Sequence, residues 1–301
     1  MSNKLLMISM FFSMILGVSC KSSGNEESNS SNGVKISLAQ WSLNKQFFSG
    51  ELSNLDFARV AGDMGFGGIE YVNQFFKDKA NDFIYLDSLN AAAEKAGVDQ
   101  VLIMIDEEGE LANTDQLIRA EAIENHKKWI RAASYLGCHS IRVNLYGQGS
   151  AEEVGQAAVE GLKDLAGFAK EQGVSIIVEN HGGLSSNAAW LADVISRVKM
   201  SNCGTLPDFG NFCIKSEGGK CVDEYDKYQG VIELMPYAKA VSAKSFNFNS
   251  EGEETTIDYE RMLSIVKDAG YTGFIGVEYE GDNFPAIEGI KLTKVLIEKH
   301  W

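Results

Sequence analysis

Basic residues are scarce in this chain, with 27 lysines and arginines against 42 aspartates and glutamates and a formal net charge of −15. That balance excludes nucleic acid as a partner, because phosphate contacts need a basic surface. Highly anionic ligands are disfavoured for the same reason unless a local basic pocket overrides it. Histidine is scarcer still, at four residues, and the five cysteines fall at no spacing that suits a zinc knuckle. No Gly-rich dinucleotide turn follows the first apolar strand, where Gln40-Trp41-Ser42-Leu43 stands instead, so a doubly wound nucleotide-binding sheet loses its main signature. The apolar run from Leu5 to Val18 is too short to span a bilayer as a stable helix.

That run has another reading. Lys4 precedes it and Ser19-Cys20 ends it, which is the layout of a secretion signal. Cys20 sits where a lipobox cysteine belongs, although Gly17 holds the place usually given to a bulky aliphatic residue. The expectation is a lipoprotein signal at 1–20 with lipidation on Cys20, anchoring an exported protein to a bacterial membrane by lipid alone. Residues 21–33 are serine, asparagine, glycine, glutamate and lysine with almost nothing apolar to bury, so they read as a disordered tether. Removing residues 1–20 takes away only the charge of Lys4 and leaves the remainder at −16. Among the later cysteines, Cys213 and Cys221 share one loop; an exported location permits them to pair without requiring it.

What is present from residue 34 onward is a repeat. An amphipathic helix ends in a small residue and a glycine, and a β-rich run follows. Gly65 precedes Gly68–Val72, Gly97 precedes Val101–Ile105, and Gly137 precedes Ser140–Asn144. Gly173 precedes Val174–Glu179, and Gly270 precedes Phe274–Tyr279. Each glycine stands where a helix needs a left-handed C-terminal residue. Lys35–Gln40, Gly204–Leu206 and Ala240–Lys244 supply three more strands, making eight. Eight strand–helix units in residues 34–301 predict one α/β domain, a (β/α)8 TIM barrel.

Barrel chemistry collects at the C-terminal ends of the strands. Those ends carry Gln40-Trp41, Glu70-Tyr71, Asp106, Asn144, Glu179-Asn180-His181, Asp208, Ser242-Ala243-Lys244 and Glu278-Tyr279-Glu280. Converging carboxylates on apolar strands are costly to bury unless a cation or protons compensate, so this pattern marks a site. Val178-Glu179-Asn180-His181, Pro207-Asp208-Phe209-Gly210-Asn211 and Ile275-Gly276-Val277-Glu278-Tyr279-Glu280-Gly281 resemble the sugar phosphate isomerase/epimerase family of the xylose isomerase-like barrels. The resemblance covers essentially all of residues 34–301.

It implies a divalent metal, manganese or magnesium, held by Glu179, Asp208 and Glu278. It also implies proton exchange by Glu179 and Glu278 next to a sugar carbonyl. Two positions depart from the family pattern: Ser242 stands for the strand-seven histidine, and Asn211 for the histidine three residues after the aspartate. The ligand set is therefore incomplete, and Lys244 with a protonated His181 is the alternative source of positive charge.

Catalytic roles are expected for Glu179, Glu278, Lys244 and His181. Substrate contacts are expected from Trp41, Glu70, Asn144, Asn211, Ser242 and Glu280. Trp41, Tyr71 and Phe246 are candidates for an apolar wall, with packing beneath a loop as the alternative for each. Arg142 reads as a core snorkeller or a site cation, while His126 and His300, in charged helical stretches, read as solvated. The loops after strands seven and eight offer no basic or Gly-rich phosphate cradle, which points to an unphosphorylated sugar. The expected reaction is isomerisation or epimerisation by proton abstraction. Elimination from a 3-keto sugar or 3-keto glycoside shares that first step and is the enzymatic alternative. A carbohydrate-binding lipoprotein is the non-enzymatic alternative, and an endonuclease would need more metals and histidines than this chain offers.

Overall fold

The computed structural model describes residues 33–301. The expected signal with Cys20, and all of the tether but Gly33, lie outside them. In chain order the strands are β1 (Lys35–Ala39), β2 (Gly68–Val72), β3 (Asp99–Met104), β4 (Ser140–Val143), β5 (Ser175–Glu179), β6 (Cys203–Leu206), β7 (Cys213–Glu217), β8 (Lys220–Glu224), β9 (Val241–Ser245) and β10 (Phe274–Tyr279). Eight of them form one parallel sheet in the order β6-β5-β4-β3-β2-β1-β10-β9. Its two edges meet through Ser242, whose N–H donates to the Pro207 carbonyl at 3.0 Å and whose carbonyl accepts from Phe209 N–H at 3.1 Å. The fold is the expected (β/α)8 barrel. Helices alternate with the strands; Gly97 and Gly137 close two of them at φ 68° and 75°, as the repeated glycine predicts.

Strand alternation sorts the side chains into two shells. Ala39, Val72, Met104, Ile177 and Leu206 pack on one another inside the barrel. Their neighbours Leu38, Tyr71, Ile103 and Ile176 belong to the larger core beneath the helices. Glu70 and Glu179, two residues from Val72 and Ile177, therefore point inward with them. The same parity decides one open alternative. Tyr71 is no wall of the site: it is buried in the outer shell, with its hydroxyl bonded to the Gln100 side chain at 2.9 Å.

Other boundaries shift for local reasons. β1 stops at Ala39 because Gln40–Leu43 coils into a 3-10 turn, where the Gln40 amide bonds Asn54 and the Val72 N–H. His126 is buried, not solvated, with Nδ1 against the Ala122 carbonyl at 2.7 Å. The stretch after β6 is an antiparallel hairpin, β7–β8, turning on Gly218-Gly219, both at positive φ. Cys213 and Cys221 are joined across it by a disulfide. Gly-Gly between two extended runs is a hairpin signal in the sequence, but the flanking runs are short, mostly polar and mostly exposed, so they carry no core-facing alternation. Among the described residues no helix is long and apolar enough to cross a membrane.

Gly281 fixes how the loops after β9 and β10 meet. A Cβ there would fall 1.7 Å from the Phe246 carbonyl oxygen, a backbone atom that cannot swing aside. Gly281→Ala is expected to cost ~1–3 kcal/mol of stability, as overpacking does. A lowered midpoint in urea unfolding at unchanged slope is the measurement that checks it.

Candidate active site

The inward parity of the strands brings Glu179 from β5, Asp208 after β6, Lys244 from β9 and Glu278 from β10 together at the C-terminal end of the barrel. All four are at most 4 % exposed. Oxygens of Glu179, Asp208 and Glu278 lie within 4.8 Å of one another. Lys244 Nζ is 3.1 Å from Glu278, 3.2 Å from Glu280 and 3.7 Å from Asp208. On the other side Arg142 stands 2.9 Å from Glu179 through Nε and 2.7 Å from Asp106 through Nη1. Arg142 is thus a site cation. Its Nε–H is not aligned on the Glu179 oxygen, so that contact is one of charge and not a formed hydrogen bond.

Neutral groups set the geometry. Asn180 clamps β5 to the end of β6, donating to the Asp208 carbonyl at 3.0 Å and accepting from the Asp208 N–H at 2.8 Å. Asp208 Oδ1 accepts the N–H groups of Gly210 and Asn211 at 2.8 and 2.9 Å, which leaves Oδ2 for the site. Asn211 donates its amide to Glu179 Oε1 at 3.0 Å. Ser242 Oγ lies 2.7 Å from Asp208 Oδ2 and 2.9 Å from Glu278 Oε2. A hydroxyl has one proton and two carboxylates flank it here, so the second contact needs a proton or cation from elsewhere.

Burial governs the ionisation. It pushes Glu179 up to about 7, against Arg142, and Asp208 up to about 7, against Lys244. It also pushes Glu278 up, but Lys244, Arg142 and Ser242 together outweigh it and hold that carboxyl below the usual range. Lys244 is buried too, yet Asp208, Glu278 and Glu280 keep its ammonium form strongly favoured. Deeper in the barrel Glu70 is pushed up to about 8 by burial, with Ser37 donating to its Oε1 at 2.6 Å and its Oε2 without a partner.

Of the residues the sequence pointed to, Glu179, Asp208, Ser242, Lys244, Glu278, Glu280 and Asn211 form this one connected cluster. Asn144 is in the Arg142–Asp106 network, donating to Asp106 at 2.8 Å. Glu70 is buried below the cluster with no opening to solvent. His181 faces Tyr146, whose hydroxyl is 2.9 Å from Nδ1, while burial and then Arg142 hold the imidazole below its usual range. Trp41 is half-buried and stacks on Phe75 with ring centroids 6.1 Å apart. Phe246 is half-buried against Gly210. Tyr146 was missed as a site residue, whereas Asp106 stood among the strand ends and Arg142 was left open between core and site; their pairing was not foreseen. The charged pair had a signal, an arginine inside the apolar strand Ile141–Val143 beside a strand ending in Asp106, but Tyr146 had none.

The profile of the xylose isomerase-like TIM barrel family matches residues 58–297. This chain belongs to that family. No curated protein matches the sequence. Among solved structures, the 3-keto-D-glucoside 4-epimerase of E. coli superposes with a TM-score of 0.68 at 13 % identity, covering 88 % of this chain and 99 % of the other. A sugar phosphate isomerase/epimerase from Parabacteroides distasonis gives 0.67 at 14 %, covering 90 % and 96 %. The IolI protein, solved with a zinc atom, gives 0.65 at 17 %, covering 89 % and 99 %. At such identities the likeness establishes the fold. The buried triad of this chain can hold a metal ion on its own chemistry. It offers three carboxylates within reach of one centre, an adjacent hydroxyl, and more negative charge than the two cations offset.

Glu70 gives a pH test. Its carboxyl binds a proton up to about 8 in the fold and only to the ordinary glutamate value when unfolded. Between those values the native state holds more protons, so its contribution to stability falls as pH rises and is level above about 8. Glu70→Gln is expected to flatten that slope in urea titrations from pH 5 to 8.5.

Proposed function

We propose that this protein is an epimerase or isomerase acting on an unphosphorylated sugar by proton transfer at the carbon beside a carbonyl. The observation that carries this reading is the convergence of Glu179 and Glu278, both buried, on one space bounded by Asp208 and Lys244. A C–H proton next to a carbonyl is removed by a carboxylate and returned from a second group on another face, and two glutamates from different strands supply both roles. Lys244 would donate to the oxyanion that develops as the proton leaves, its Nζ lying 3.1 Å from Glu278, and Arg142 offsets the charge of Glu179 and Asp106. Glu179, Asp208 and Glu278 would hold a manganese or magnesium ion, oxygen donors suiting a hard cation. Bound there, such an ion supplies positive charge to polarise the carbonyl.

The unphosphorylated substrate is supported by how the loop after β9 uses its own amides. Glu254 accepts the N–H groups of Phe246 and Asn247 at 3.2 and 3.1 Å and that of Thr256 at 2.6 Å. A carboxylate of the chain thus occupies the place where an anion would be gripped by those amides. Elimination from a 3-keto sugar or glycoside begins with the same abstraction. Lys244, whose ammonium lies 3.1 Å from Glu278 and 3.2 Å from the part-exposed Glu280, favours it as a second reading because it would donate to a departing oxygen. A pure binding protein has no use for buried carboxylates in excess of their cations. Export with a lipid anchor on Cys20 belongs to the proposal as well. The Cys213–Cys221 disulfide supports the export, since such bonds persist in oxidising compartments.

Incubation with a panel of keto sugars and 3-keto glycosides in D2O tests the reaction. The account expects deuterium at one carbon beside the carbonyl, lowered about 10²–10⁴-fold by Glu179→Gln or Glu278→Gln. Undiminished exchange in both variants, or none in the parent on any substrate, would contradict it.

A further inference from the structure

Beside the carboxylate cluster a cleft of about 550 Å³ opens between the loop after β1 and the loop after β10, lined among others by Trp41, Lys45, Gln46, Glu280, Asp282 and Phe284. We propose that this cleft is a second subsite that takes a neutral, hydroxyl-rich ring attached to the reacting sugar, so that the substrate is a two-ring glycoside and not a free monosaccharide. The inference rests on the sugar chemistry proposed above and specifies its substrate.

Four observations carry it. The first is continuity: Glu280 lines the cleft and also reaches Lys244 at 3.2 Å, so one side chain is the shared wall of both spaces. Size is the second, since the volume lies within the ~300–1,000 Å³ of small-ligand clefts and is additional to the space among the carboxylates. Composition is the third. Trp41 and Phe284 give aromatic surface, which suits the apolar face of a pyranose, while Lys45 of the short helix Asn44–Ser49 and Asp282 of the loop after β10 pair at 2.8 Å and offer donors and acceptors. One lysine against two carboxylates leaves the lining slightly acidic, which rejects phosphate and other anions. The fourth is an unmet hydrogen bond. The side-chain oxygen of Gln46, a residue of the wall, is buried without a partner in the protein. A buried acceptor left unpaired is costly, and a turn of the Gln46 amide toward the cleft would let a sugar hydroxyl donate to it. The slightly larger hollow of about 590 Å³ between Leu55, Arg59 and Lys95 lies on the outer helical layer and meets none of these groups.

The test compares 3-ketoglucose with 3-keto-cellobiose by deuterium exchange, and glucose with cellobiose by calorimetric binding, in the parent and two variants. Ala286→Trp fills the cleft from the start of the helix Ala286–His300, and Gln46→Leu removes the unpaired oxygen without adding bulk. The expected result is a kcat/KM at least tenfold higher for the two-ring substrate in the parent. Ala286→Trp should lower that ratio at least tenfold, and Gln46→Leu severalfold through KM and not kcat. Equal kcat/KM for the one-ring and two-ring substrates in the parent would overturn the subsite while leaving the proton-transfer reading intact. So would a two-ring preference that survives both variants. Absence of exchange on every keto sugar would instead count against the reaction. In that case cellobiose binding that exceeds glucose binding and is lost in Ala286→Trp still supports the cleft, and equal or absent binding overturns it.

Discussion

Among the described residues, five carboxyl groups, those of Asp106, Glu179, Asp208, Glu278 and Glu280, are gathered at one end of this barrel against two cations, Arg142 and Lys244. Ionised together they would carry three more negative charges than positive in a region largely closed to water. Desolvation of that kind is among the largest penalties a fold can bear, and it must be offset by protons, by a cation or by both. The proton on Ser242 serves only one of its two carboxylate neighbours, and Glu179 and Asp208 are both pushed toward neutrality. The cluster is therefore unfinished as an electrostatic object, and a group that arrives with positive charge or removable protons completes it.

The rest of the structure serves to hold that cluster still. Strand parity points the charged residues inward while Leu38, Tyr71 and Ile176 seal the outside. Asn180 pins β5 to β6, and Ser242 both closes the sheet through its backbone and bridges Asp208 to Glu278 through its hydroxyl. One serine thus links barrel closure to the spacing of the carboxylates.

Most of the fold was legible because it rests on local rules. The helix-closing glycines and apolar strands announced eight units, and Glu179, Asp208 and Glu278 stood out as acids ending apolar runs. What stayed hidden depends on contacts distant in sequence. Tyr71 stood open between a wall of the site and plain packing until strand parity placed it outside, and His126 looked solvated although its helix face is buried. Arg142 was undecided because its partners lie 36 and 37 residues away. The β7–β8 hairpin stayed hidden because its strands are short and mostly polar, so alternation gave no signal, although Gly218-Gly219 did.

The central claim is that this cluster is short of positive charge, and titration of the purified protein with Mn2+ at pH 7 tests it most directly. Calorimetry in two buffers of different ionisation enthalpy reads both ion uptake and proton release. The account predicts about one ion per chain with protons displaced from the carboxyl groups, and loss of both in Asp208→Asn. No uptake and no proton release, with an unchanged melting temperature at saturating manganese, would contradict it and leave Lys244, Arg142 and bound protons as the complete balance.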